Sequence, residues 1–217
     1  MELIMIIFTA FLAWFIVLAI GEFRCHEKID LAILVDCSAS VTEDQFAATK
    51  EFAAELVKHF DISKKRANVA AISFSQYVHT KKDFKDDTSW ESVLKAINEL
   101  DYEGSFTRLD FALETLRERT FNKAYGARAP SKDVKRIVVV ITDGFSSLGF
   151  EYTKELTDQL KQSRIQFFSV GTSKRVNKPE LDEISSQPVD IHKRIVDLKN
   201  RSFTKAQVER LAKDICK

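Results

Sequence analysis

Five β-branched residues in a row, Ile137-Val138-Val139-Val140-Ile141, limit what this chain can fold into. Branching at Cβ favours extended backbone. A run with no polar residue at alternate positions has no face to offer water, so the strand it forms is covered on both sides. Such a strand needs partners beside it and layers above and below it. Ile29-Asp30-Leu31-Ala32-Ile33-Leu34-Val35, Val69 to Phe74 and Ile165 to Val170 read as similar buried strands. Tyr77 to Phe84 alternates weakly and reads as an edge strand guarded by its lysines. Val189 to Val196 reads as a last strand.

Helical patterns fill the gaps between these strands. Thr42-Glu43-Asp44-Gln45 has the form of a capping box, and Phe46, Thr49, Ala53, Leu56, Val57 and Phe60 follow at helical spacing. Trp90–Leu100, Leu109–Arg119 and Tyr152–Gln162 are amphipathic, Pro179–Ile184 is a short helix opened by proline, and Thr204–Ile215 closes the chain. Strand–helix alternation predicts an α/β fold, a Rossmann-like, doubly wound, mostly parallel central sheet with helices on both faces. Ligands of such folds gather at the carboxyl ends of the strands, at the switch point of strand order.

The 217 residues suffice for one domain with extras. Lys+Arg 33 against Asp+Glu 32 leaves a net charge of +1, so no global field draws the chain to nucleic acid or anionic lipid. Three cysteines without a CxxC spacing argue against structural zinc.

From Leu3 to Ile20 no residue is charged. The small residues of Ala19-Ile20-Gly21 favour a cleaved signal peptide over residues 1–21. The alternative is an uncleaved membrane anchor, favoured by a run longer than the usual apolar core of about 7–15 residues and by Arg24 and Lys28 behind it. Residues 22–28 form an N-terminal segment and 29–217 the domain. In an exported chain, Cys25 and Cys216 bracket that domain and are placed to bridge its ends; two unpaired thiols in frayed ends are the alternative. Cys37, inside an apolar run, reads as a buried thiol.

Three segments at strand ends carry oxygen donors. The first strand runs into Asp36-Cys37-Ser38-Ala39-Ser40, the β-branched strand into Thr142-Asp143-Gly144, and Gly104-Ser105-Phe106-Thr107 precedes a helix. Two carboxylates and three hydroxyls, with no imidazole, suit Mg²⁺ or Mn²⁺ rather than zinc or copper. Singly, each segment also reads as an ordinary turn or cap. All three together, each at a strand end, point to a cation site.

With these segments the sequence resembles the von Willebrand factor type A domain, or integrin inserted domain, from about Ile29 to Cys216. Asp36-Cys37-Ser38-Ala39-Ser40 matches the family's Asp-x-Ser-x-Ser signature, Thr107 its threonine loop and Asp143 its second aspartate. The resemblance implies a metal-ion-dependent adhesion site in which Ser38, Ser40 and Thr107 contact the ion and Asp36 and Asp143 act largely through water. Cysteines at both domain ends are similar to the family's extracellular-matrix branch. Two departures stand out. Cys37 replaces the usual glycine, and Arg108-Leu109-Asp110 follows Thr107, with Asp110 placed to offset Arg108.

The function so implied is a secreted adhesion or extracellular-matrix interaction module, not an enzyme, that binds an acidic residue of a protein partner such as collagen through the ion. Ala39, Phe106, Arg108, Phe145 and Ser146 form the expected rim. Phe106 and Phe145 read equally as exposed anchors or as packing beneath the loops. The rivals are a metal-independent scaffold with a vestigial site and a Mg²⁺-dependent phosphatase-like enzyme. The latter is disfavoured because Ser38 stands where a second, acid-supplying aspartate would be needed. Asn200-Arg201-Ser202 is an N-glycosylation sequon.

Overall fold

The computed structural model describes residues 22–147, 150–198 and 203–217. The signal-or-anchor segment and the sequon at Asn200 lie outside them. Among the described residues no helix is long and apolar enough to cross a membrane.

Among the described residues six strands form one sheet: β1 (Ile29–Asp36), β2 (Ala67–Phe74), β3 (Val78–Lys82), β4 (Lys135–Thr142), β5 (Ile165–Gly171) and β6 (Lys193–Ile195). Their order is β3-β2-β1-β4-β5-β6. Of these neighbouring pairs, β2–β3 alone is antiparallel. The helices are α1 (Glu43–Val57), α2 (Trp90–Asn98), α3 (Leu109–Thr115), α4 (Phe150–Gln162), α5 (Lys178–Ile184), α6 (Val189–His192) and α7 (Lys205–Cys216).

Every residue of β1 and β2 is buried, as is all of β4 after Lys135. Strand alternation sends successive side chains to opposite faces. Leu31, Ile33, Val35, Val139 and Ile141 therefore pack with Phe52 and Leu56 of α1, Val93 and Ile97 of α2 and Leu211 of α7. Ala32, Leu34, Val138 and Val140 pack on the other side with Leu113 of α3 and Leu156 and Leu160 of α4. The β-branched run is thus the centre of a three-layer α/β sandwich.

Local signals in the sequence set the helix starts. Both halves of the Thr42/Gln45 capping box form at α1, and Thr204 and Gln207 build a second box at α7. α3 is shorter than its apolar pattern suggests, passing at Leu116–Thr120 into a π-helical turn.

Two expectations need correction. Val189–Val196 is not one strand. Pro188 caps the single turn of α6, with the Ile191 and His192 N–H groups donating to its carbonyl, and only Lys193–Ile195 pairs with β5. The His192 ring packs on Phe168 at 4.5 Å between centroids, so this short apolar alternation serves a helical turn. At β3, Lys81 is exposed and pairs with Asp101 at 2.5 Å. Lys82, by contrast, is buried, its Nζ donating to the Asp83 carbonyl at 3.3 Å, and does not guard the edge.

Cys25 and Cys216 form a disulfide across a sequence separation of 191. It lies at the end of the molecule where β4 begins, since Lys135 Nζ donates to the Cys216 carbonyl at 2.6 Å. Cys37 is free and buried.

Candidate metal centre

β1 and β4 are neighbours whose onward connections lead to opposite sides of the sheet, so the switch point lies between their carboxyl ends. Val35 is in register with Ile141, which sets Asp36 beside Thr142. The Thr142 hydroxyl donates to Asp36 Oδ2 at 2.6 Å, and the Ser38 N–H donates to Asp36 Oδ1 at 2.9 Å. With both oxygens held, Asp36 turns the chain so that the Ser38 and Ser40 hydroxyl oxygens lie 3.1 Å apart. The Tyr102 hydroxyl props the end of this loop by donating to the Val41 carbonyl at 2.7 Å.

The Thr107 loop is stitched to both neighbours. Gly104 N–H donates to Cys37 O and Ala39 N–H to Ser105 O, each at 2.8 Å. On the other side the Thr107 N–H donates to Ser147 Oγ at 2.9 Å, and the Ser147 N–H returns a bond to Thr107 O at 2.9 Å. Asp143 follows β4, its Oδ1 accepting from the Phe145 N–H at 3.3 Å. The turn beyond it needs glycine: Gly144 has φ +79°, and a Cβ there would stand 3.0 Å from the Asn177 carbonyl.

Charge explains what this arrangement is suited to hold. Burial, and next the negative charge of Asp143, push the Asp36 carboxyl up to about 6, against the pull of its bonds from Ser38 and Thr142. A buried carboxylate beside another carboxylate is stabilised by a cation. Octahedral coordination at 2.0–2.1 Å puts adjacent ligand oxygens about 3 Å apart, and the Ser38–Ser40 pair has that spacing. Among the described residues no three His, Cys, Asp or Glu side chains converge. The polar side chains beside Asp36 are hydroxyls, whose hard oxygen atoms are the donor type that suits cations such as Mg²⁺. Burial pushes the Cys37 thiol up to about 12, so no thiolate competes.

Around these groups the expected rim divides. Ala39, Phe106 and Phe145 are exposed, the two rings at 65% and 53%. Neither ring packs beneath the loops. Arg108 is tied down instead, donating to Asp110 at 2.9 and 2.7 Å while its guanidinium lies 3.5 Å from the Phe111 ring centre. The Ser146 hydroxyl donates to Glu180 Oε1, and its N–H to Oε2 at 3.3 Å. Glu180 also accepts from Asn177 Nδ2 at 3.1 Å and is almost fully buried, which raises its pKa, with Asp143 adding to the rise. Sequence reasoning misses Glu180, which looks like part of a short polar helix. The one signal for it is its place beside the helix-opening Pro179.

The sequence profile of the von Willebrand factor type A domain matches residues 30–210. Matrilin-2 of Mus musculus is 32% identical over 170 residues, 78% of this chain and 17% of that protein. The chain therefore spans less than a fifth of that relative's length. Among solved structures, proximal thread matrix protein 1 from the mussel byssus superposes with a TM-score of 0.78 at 22% identity over 89% of this chain and 49% of that one. A structure of the same mussel protein with a zinc-occupied MIDAS motif (its metal-ion-dependent adhesion site) gives 0.74 at 22% identity, covering 89% and 48%. At that identity the likeness speaks for the fold.

Proposed function

The chain belongs to the von Willebrand factor type A domain family, and from that premise we propose that it is a secreted adhesion module, not an enzyme. It binds an acidic side chain of an extracellular protein partner, collagen or another matrix protein, through a divalent ion at the switch point. The observation that carries this reading is the shared anchoring of Asp36 by Ser38 and Thr142, which brings the signature loop and the second-aspartate loop to one place with two carboxylates and a close pair of hydroxyls.

Ser38, Ser40 and Thr107 would hold the ion, with Asp36 and Asp143 accepting from its waters. The ion, Mg²⁺ or Mn²⁺ by its oxygen donors, would supply a Lewis-acidic position for the partner's carboxylate. The protein's own groups do the rest. Buried Asp36 and Asp143 lend negative charge without occupying every position, and the Thr107–Ser147 bonds fix the third loop against the second. Phe106 and Phe145, next to Thr107 and Asp143 in sequence, offer exposed apolar rings to the partner, and Ala39 is exposed as well. The zinc-occupied MIDAS of the mussel protein supports a divalent ion and adds zinc to those worth testing.

Calorimetric titration with Mg²⁺, Mn²⁺ and Zn²⁺ is the test. One-site binding that disappears in Asp36→Ala is the expected result. Absence of heat with all three ions, in a folded wild-type chain, would leave the metal-independent scaffold as the better reading.

A further inference from the structure

At the other end of the sheet, where β4 and β5 begin, lies an open cleft of about 610 Å³. Six cationic side chains line it, Lys132, Lys135, Arg136, Lys161, Arg164 and Lys217, against three acids, Asp158, Asp182 and Glu183. That excess is concentrated in a chain whose charges otherwise nearly balance.

The acids are already engaged from outside the lining. Lys154 pairs with Asp158 at 2.7 Å and with Glu183 at 2.6 Å, and Lys193 holds Asp182. The cations are only partly used. Lys135 donates to the Cys216 carbonyl and Lys161 to the Glu183 carbonyl, each at 2.6 Å, which caps helix ends without neutralising either charge. Lys217 pairs with Asp214 at 2.7 Å. Arg136 is buried and gives its terminal nitrogens to the Ser163 and Phe121 carbonyls at 3.2 and 2.9 Å, while its Nε has no partner among the described residues. Lys132 and Arg164 are exposed and, among the described residues, have no acidic partner. Arg164 also sits at φ +61°, a conformation that a side-chain-bearing residue adopts at a cost.

From this we propose that the cleft binds a linear sulfated polysaccharide. Among the described residues no glycine nest or helix N-terminus lines it to cradle one phosphate group. Flexible lysine and arginine tips spread around an open depression suit a polymer with repeated anionic groups. The eight residues of β4 separate this cleft from the adhesion rim by about 26 Å at the usual strand rise. A polysaccharide there leaves the rim free for a protein partner.

Heparin binding to the intact secreted chain, followed by surface plasmon resonance at several NaCl concentrations and with EDTA present, is the experiment. Heparin should bind with an affinity that falls as salt rises and is unchanged by EDTA, while unsulfated hyaluronan binds far more weakly. Lys132→Ala with Arg164→Asn, Asn tolerating the left-handed backbone, should weaken heparin at least about tenfold with no change in melting temperature. The proposal is overturned by absent heparin binding, by an unaffected double variant, by hyaluronan binding equally, or by polyphosphate displacing heparin at lower concentration. Loss of heparin binding on EDTA treatment would reassign it to the metal centre, so the two sites fail independently.

Discussion

The Thr142 hydroxyl donates to Asp36 Oδ2 at 2.6 Å, joining the ends of two adjacent strands across 106 residues of sequence. This bond is buried and charge-assisted, and the same hydroxyl accepts from the Gly144 N–H at 3.0 Å. One threonine therefore sets both the first aspartate and the turn that carries the second.

Thr142→Val should keep the β-branched shape and lose both bonds. Asp36 keeps its bond from the Ser38 N–H while its Oδ2 and the Gly144 N–H each lose a buried partner. Such a loss costs about 1–3 kcal/mol, so urea unfolding should show a drop of at least that size. Disturbing a group that orients metal ligands typically costs about 10–100-fold in affinity, and Mg²⁺ titration of the variant should show it.

The raised Asp36 pKa predicts a pH dependence. It climbs from an ordinary value of 3.8 to about 6 in the folded chain, so the protonated form is the one the metal-free fold favours. The contribution to stability is complete below pH 3.8 and is lost as pH climbs through 6. A bound cation reverses the preference by stabilising the carboxylate. The melting-temperature gain on adding Mg²⁺ should therefore be large at about pH 7.5 and small at about pH 5, which differential scanning fluorimetry would show. An equal gain at both values would mean that Asp36 does not face the ion.

Phe106→Ala with Phe145→Ala should separate adhesion from metal binding. Both rings are exposed, so their removal should change stability by no more than about 0.5 kcal/mol and leave the Mg²⁺ titration as it was. Adhesion to an immobilised matrix extract should fall by about tenfold or more, as expected for paired aromatic anchors.

Cys25→Ala with Cys216→Ala opens a loop whose closure, on chain-entropy grounds, contributes about 5 kcal/mol. Thermal unfolding should shift sharply downward. Metal affinity measured below the new transition should be unchanged, because the bridge lies at the opposite end of the sheet.

Much of this is legible in the chain. The β-branched run announces a strand with no wet face, and its neighbours in the sheet obey the same rule. Thr42 and Gln45 mark the start of α1 because a capping box is local chemistry. The candidate site is legible because Asp36 and the Thr142-Asp143 pair sit at adjacent strand ends, where a parallel sheet collects such groups. Other features depend on distant contacts. Val189 to Val196 misleads because a single turn capped by Pro188 and pinned by His192 on Phe168 has the same apolar spacing as a short strand. Lys82 looks like an edge guard because nothing local reports that its side chain is covered. Glu180 escapes notice because a carboxylate in a short polar helix looks solvated until Ser146 and Asn177 are seen to surround it.

The sulfur bridge has a mechanical consequence. A pull applied at Cys25 and Cys216 runs through one covalent link and bypasses the sheet. Strands and loops at the far pole, with Asp36, Ser38 and Ser40 among them, then stay slack, so a load borne at the two sulfurs leaves their geometry undisturbed.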